Sequence, residues 1–167
     1  MFEINDEVIY GLNGVCRIAG IGEKEICGKK KLCYSLNPVN DNKVNIIFPV
    51  DSTLARNRMR RILSKDELLE IIHSMPVADT IWVDDEIVRR RKFKEILLGN
   101  DRNALIKLIK TLYLRDKEKH QYGMKIRVSE RSLMKDAERV LYEEFAYVLG
   151  IDVSQVLPFI ISELGDS

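Results

Sequence analysis

The spacing of apolar residues changes once along this chain, and that change limits the folds open to it. From Phe2 to about Pro49 apolar and polar side chains alternate in short runs broken by turn residues, the pattern of strands with one buried face. From Ser64 onward apolar residues recur every three or four positions, the pattern of helices packed along one side. A chain of this kind forms an α+β protein: a small antiparallel β-sheet, curved or closed partway into a barrel, followed by an all-helical C-terminal domain. With 167 residues, either part can bury a core.

Four strands are read: 8–10, 15–21 carrying on past a bend at Gly22 through 24–27, 32–36 and 44–48, with room for a short fifth near 58–62. Gly11, Asn13 and Gly14 mark one turn, Gly28 with Lys29, Lys30 and Lys31 a second, and residues 37–42 a third. A sheet this small leaves two open edges, and an open edge can accept a partner strand. Ser64 and Glu67 form a capping-box pattern ahead of Leu68, Leu69, Ile71 and Ile72, and Pro76 ends that helix. The expected organisation is a sheet domain at 1–63, a connecting helix and linker at 64–82, and a helical domain at 83–167. Within the last, one helix starts at Asp84 or Asp85 and stops at Gly99. A second spans 101–119 with Leu105, Leu108, Ile109 and Leu112 inward, and a third spans 129–149. A final helix opens at Asp152 and is expected to bend or shorten at Pro158.

Lys and Arg number 27 against 26 Asp and Glu, so any affinity for nucleic acid must be local. The local candidate is the run from Arg89 to Lys94, with Arg89, Arg90, Arg91, Lys92 and Lys94 beside the single tryptophan, Trp82. On a helix, Phe93, Ile96 and Leu97 form a packing arc and the basic residues gather beside it. Two readings stay open: a phosphate-binding strip with an aromatic for the bases, or a solvated helix face with Trp82 as packing.

Cys16, Cys27 and Cys33 form no C-x-x-C pair and are expected to be reduced, with no metal and no cofactor. No nucleophile elbow, phosphate loop or zinc motif occurs, so no catalytic residue is assigned and the chain is not expected to be an enzyme. The acid pairs Asp84–Asp85 and Glu143–Glu144 read as a helix cap and a solvated face. Without a spanning segment or signal peptide, the expectation is a cytoplasmic protein with no membrane partner.

The opening F-x-x-x-D-x-V-x-Y, then Gly14, Gly28 with its lysines, and Pro49 resemble the start of the CarD family of bacterial transcription regulators. RRRKFKEILLGND, LIKTLYLRDKEK and ERSLMKDAERVLYEEFAYVLGI resemble the successive helices of that family's C-terminal domain. The resemblance implies a Tudor-like N-terminal domain that binds the RNA polymerase β subunit. It also implies a helical domain that touches promoter DNA at the upstream edge of the transcription bubble and modulates the open complex. It implies further that Trp82 wedges at the minor groove, that Arg89, Arg90, Arg91, Lys92 and Lys94 contact phosphates, and that Lys24 and Ile47 occupy the polymerase-facing positions. Two departures stand out: aligned on Gly99 the wedge position holds Asp85, and Ile47 replaces a basic residue. The alternative is an adaptor on polymerase without DNA contact. A monomer is expected, with a strand-swapped dimer through the sheet edge left open.

Overall fold

The computed structural model describes residues 1–165, which divide into two units, Met1–Ile62 and the residues from Leu63 onward. The first unit is an antiparallel sheet of β1 (Glu7–Tyr10), β2 (Val15–Ile26), β3 (Lys29–Pro38), β4 (Ile46–Pro49) and, after the short helix α1 (Thr53–Arg56), β5 (Met59–Arg61). The strand order is β4-β3-β2-β1-β5. The second unit is helical, and the fold is α+β.

One sheet face carries the core of Val8, Cys16, Ile18, Tyr34, Leu36, Phe48 and Met59, closed by Ala55 of α1. Tyr10 stacks on Phe48 with ring centroids 5.2 Å apart. Simple alternation along β2 would place Cys16 and Ile18 inside but Ile21 outside. The register corrects this: Ile18 pairs with Leu36 and Gly20 with Ser35, which leaves Ala19 as an extra residue. That bulge moves Ile21 to the core side, where it pairs with Tyr34.

The β2–β3 turn also differs from expectation. Ile26 pairs with Lys29, so the turn is Cys27–Gly28 alone, with φ of 51° and 74°. A two-residue hairpin of type I′ needs positive φ at both central positions because its twist then matches that of the strands. Lys29, Lys30 and Lys31 are therefore strand residues, not turn residues.

The second unit comprises α2 (Lys65–Ser74), α3 (Glu86–Leu98), α4 (Arg102–Gln121), α5 (Val128–Leu149) and α6 (Val156–Gly165). Ser64 accepts the Glu67 N–H at 3.2 Å while the Glu67 carboxylate accepts the Ser64 N–H at 2.8 Å, which starts α2. Asp101 caps α4, and Gly150 ends α5 at φ 66°, where a side chain would be strained. Asp152 opens a 3-10 turn, Val153–Gln155, that leads into α6. Pro158 is the third residue of α6, inside the first turn, where a missing N–H breaks no intrahelical bond, and the helix continues beyond it to Gly165.

Leu68 and Ile72 of α2, Phe93 and Leu97 of α3, Leu108 and Leu112 of α4, Ala137, Val140, Leu141 and Phe145 of α5, and Val156 and Ile160 of α6 are buried. Glu144 lies among them at 0% exposure, which corrects its reading as part of a solvated face. Its carboxylate binds Arg102 at 2.5 and 3.0 Å and accepts the Leu63 N–H at 3.3 Å. The segment expected as a free linker is fastened to α4. Lys110 donates to the carbonyls of Met75, Pro76 and Ala78 at 3.3, 2.8 and 2.7 Å, and Thr111 accepts the Ile81 N–H at 2.8 Å.

Two measurements check this packing. Glu144→Gln leaves Arg102 partly buried without its counter-charge, so urea unfolding should show a loss of about 3 kcal/mol. Burial pushes the Cys16 thiol up to about 11, and Cys33 is also buried while Cys27 is exposed. At pH 8 an alkylating reagent should therefore modify Cys27 in the folded protein, and reach Cys16 and Cys33 only after unfolding.

Candidate polymerase and nucleic-acid surfaces

Helix α3 begins where the Asp85 carboxylate accepts the Val88 N–H at 2.9 Å, so Asp85 is a cap. From that start, a rotation of about 100° per residue puts Arg89, Phe93 and Leu97 on the inner arc, and all three are buried. Arg89 thus parts from its basic neighbours. Its guanidinium donates to the carbonyls of Val83 and Asp84 at 2.9 and 3.2 Å and lies 4.3 Å from the centre of the Trp82 ring. Arg115 of α4 approaches the same ring to 4.0 Å, and Phe93 meets it edge-on with centroids 6.2 Å apart. Trp82 remains 37% exposed, but its ring is held by groups of its own unit. The clamp continues into α5 through Glu130, whose carboxylate is 3.8 Å from Arg115 and also accepts the Arg127 N–H.

The remaining cations fall in two groups. Arg90 bonds Glu86 at 2.7 Å, and Arg127 binds the same carboxylate. Arg91, Lys92 and Lys94 are exposed, with no ion pair among the described residues. By helical rotation Arg90, Arg91 and Lys94 lie within about 100° of one another together with Ile87, while Lys92 turns to the opposite flank beside Glu95. Ile87 is 78% exposed, and Val128, next to Arg127, is 86% exposed. Reading the sequence alone missed Arg115, Arg127, Ile87 and Val128. Arg115 lies 33 residues from its ring and leaves no local sign, whereas Ile87 breaks the polar outer face of α3 and is visible on a helical projection.

On the sheet unit, Lys24 is exposed and sits directly opposite Lys31, and Ile47 is exposed on the edge strand β4 opposite Ser35. Ser35 also pairs with Gly20, and the row of Lys24 and Lys31 is four residues away along β3. The even spacing puts Lys24 and Ile47 on one face, roughly 14 Å apart along the strand direction, and opposite the core face of Tyr34, Leu36 and Phe48. The two positions that the resemblance marks as polymerase-facing therefore share a surface.

Residues 2–63 match the family model described as the CarD-like/TRCF RID domain. The chain carries a CarD-like RNA polymerase-interacting domain. No curated protein matches the chain. The CarD-like match spans the sheet unit, and with it Lys24 and Ile47, and it gives the chain a transcription-related role in binding RNA polymerase. It ends before α3, so the contacts of the helical unit rest on its own geometry.

The Trp82 clamp predicts a structural penalty. Trp82→Ala removes two guanidinium–ring contacts and an aromatic edge contact, and thermal unfolding should register a loss of about 2 kcal/mol. An unchanged melting temperature would show the ring to be free of its neighbours.

Proposed function

We propose that this CarD-like chain bridges RNA polymerase and promoter DNA. The sheet unit holds the polymerase β subunit through the face bearing Lys24 and Ile47. The helical unit lays the outer arc of α3 on DNA at the upstream edge of the bubble, with Arg90, Arg91 and Lys94 toward phosphates and Lys92 at the flank. The observation that carries this reading is the exposed cationic arc of α3 on a chain that has a polymerase-interacting domain. The chain performs no reaction of its own. It shifts the promoter complex toward the state that it binds better, by the difference between its affinities for the two states. Such work belongs in the cytoplasm.

Charge explains why two units are needed. Residues 63–167 carry 17 Lys and Arg against 19 Asp and Glu, so the helical unit has no net attraction for DNA. Three or four phosphate contacts alone give weak binding at physiological salt. Tethering through polymerase raises the local concentration and makes such contacts count. In this reading Trp82 and Arg89 act indirectly: they fix the start of α3, and Ile87 supplies the exposed apolar group next to the cations. A non-specific mode suits the arc, since lysines and arginines on phosphates set position and not sequence.

The same surface admits a second reading. The net negative charge of the helical unit and its exposed Ile87 and Val128 suit a protein contact, which would make the chain an adaptor on polymerase. Salt separates the two. For polymerase on a fork-junction promoter, Arg91→Glu with Lys94→Glu should shorten the lifetime of the complex and reduce the slope of log K against log salt by about 2. An unchanged lifetime and slope, with polymerase binding intact, would establish the adaptor.

A further inference from the structure

Helix α6 lacks the charged outer side of a surface helix. Val156 and Ile160 pack inward, and Glu163 turns to His73 of α2 at 3.3 Å. From Val153 to Ser162 the segment holds no charged side chain, in a chain that is 32% charged. A surface helix ordinarily places its charges opposite its buried arc, and one that is apolar all round is covered. Leu157 is 49% and Ile161 61% exposed, and they form a ridge with Val153 exposed just ahead of it. Beside this ridge runs a row of smaller residues, Ser154, Pro158 and Ser162, all exposed.

We propose that the outer side of α6 is a self-association surface, on which a second copy of the chain packs its own α6 antiparallel to the first. The shape is self-complementary. Ridge and row both repeat every four residues, so a two-fold axis between the helices sets Leu157 and Ile161 of each copy into the small-residue row of the other. Charge selects the same occupant. Residues 140–165 include no Lys or Arg, which leaves nothing to hold phosphates, and a helix that lies on a membrane carries such cations beside its apolar side. A charged partner surface would lose its water here and meet no counter-charge. An uncharged stripe suits its own copy. The area sets the strength: Val153, Leu157 and Ile161 expose about 300 Å² of apolar surface, well under the ~800 Å² per partner of a stable interface. The dimer is therefore weak and reversible, half-formed on the order of 100 µM. Each such dimer joins two polymerase-interacting domains.

The test is sedimentation equilibrium of the full chain from about 10 µM to about 1 mM. The wild-type mass should climb from 19.3 kDa toward twice that value. Ile161→Glu should weaken association about ten-fold or more, and the milder Ile161→Gln should weaken it less, because a two-fold contact loses the same group twice. The melting temperature of both variants at low concentration should match the wild type, since the side chain is mostly in solvent. Val128→Glu on α5 replaces an apolar residue that is more exposed still, and it should dimerise like the wild type. A wild-type chain that stays monomeric throughout overturns the proposal. So does a dimer indifferent to both Ile161 variants, which would place the contact elsewhere, or one weakened equally by Val128→Glu. Vesicles of phosphatidylglycerol and phosphatidylethanolamine provide the last arm: a monomeric chain that binds them through Ile161 would make this side a lipid contact and overturn self-association.

Discussion

A carboxylate in the middle of a helical core governs the second unit. An ionised group without partners is too costly to bury, so Glu144 requires Arg102 and the Leu63 N–H where they are. That requirement brings the beginning of the unit, the first turn of α4 and the last third of α5 to one point. With α4 so placed, Lys110 and Thr111 fasten residues 75–81, and Arg115 reaches Trp82. Trp82 and Arg89 then set where α3 begins. The position of the outer arc of α3 is thus the last link of a sequence of contacts that starts at one buried charge.

The basic run does two separate jobs as a result. Arg89 is spent inside, on two carbonyls and an indole ring, and Arg90 shares Glu86 with Arg127. Arg90 stays exposed all the same, and Arg91, Lys92 and Lys94 beyond it present cations that form no ion pair among the described residues. An arginine suits the inner position because its planar guanidinium can stack on an aromatic face while its N–H groups bond carbonyls, and a lysine ammonium does only one of these well. On the sheet unit the division of labour is between faces. One carries the aromatic and aliphatic core, and the other buries Ile9, Val15 and Cys33 while presenting Lys24, Lys31 and Ile47 outward.

Much of the architecture was legible in the residues, wherever the determining interaction is local. The capping box at Ser64 and Glu67, the cap at Asp85, the stop at Gly150 and the inward arcs of α3, α4 and α5 involve partners no more than one or two turns away. What the residues hid depends on distant partners or on backbone register. The bulge at Ala19 and the Cys27–Gly28 turn are decided by which strand residues pair, so the three lysines were misplaced into a turn. Glu144 was misread because Arg102 is 42 residues away. Its position was still a sign, since it falls on the apolar arc with Ala137, Val140 and Leu141, and an acid there needs a counter-charge. Arg89 carries the same sign, one turn before Phe93. At the surfaces, Lys24, Ile47, Arg90, Arg91, Lys92 and Lys94 are exposed and Arg89 is buried, while the clamp around Trp82 left no local sign in the residues.

Whether α3 lies on DNA only when polymerase holds the chain is the central question, and a photo-crosslinker substituted at position 91 addresses it directly. In complexes of the full chain with polymerase and a fork-junction promoter, the bridge predicts a crosslink to DNA upstream of the fork that disappears when polymerase is omitted. A crosslink found only on polymerase, with none on DNA, would contradict the bridge and make the helical unit a second protein-binding surface.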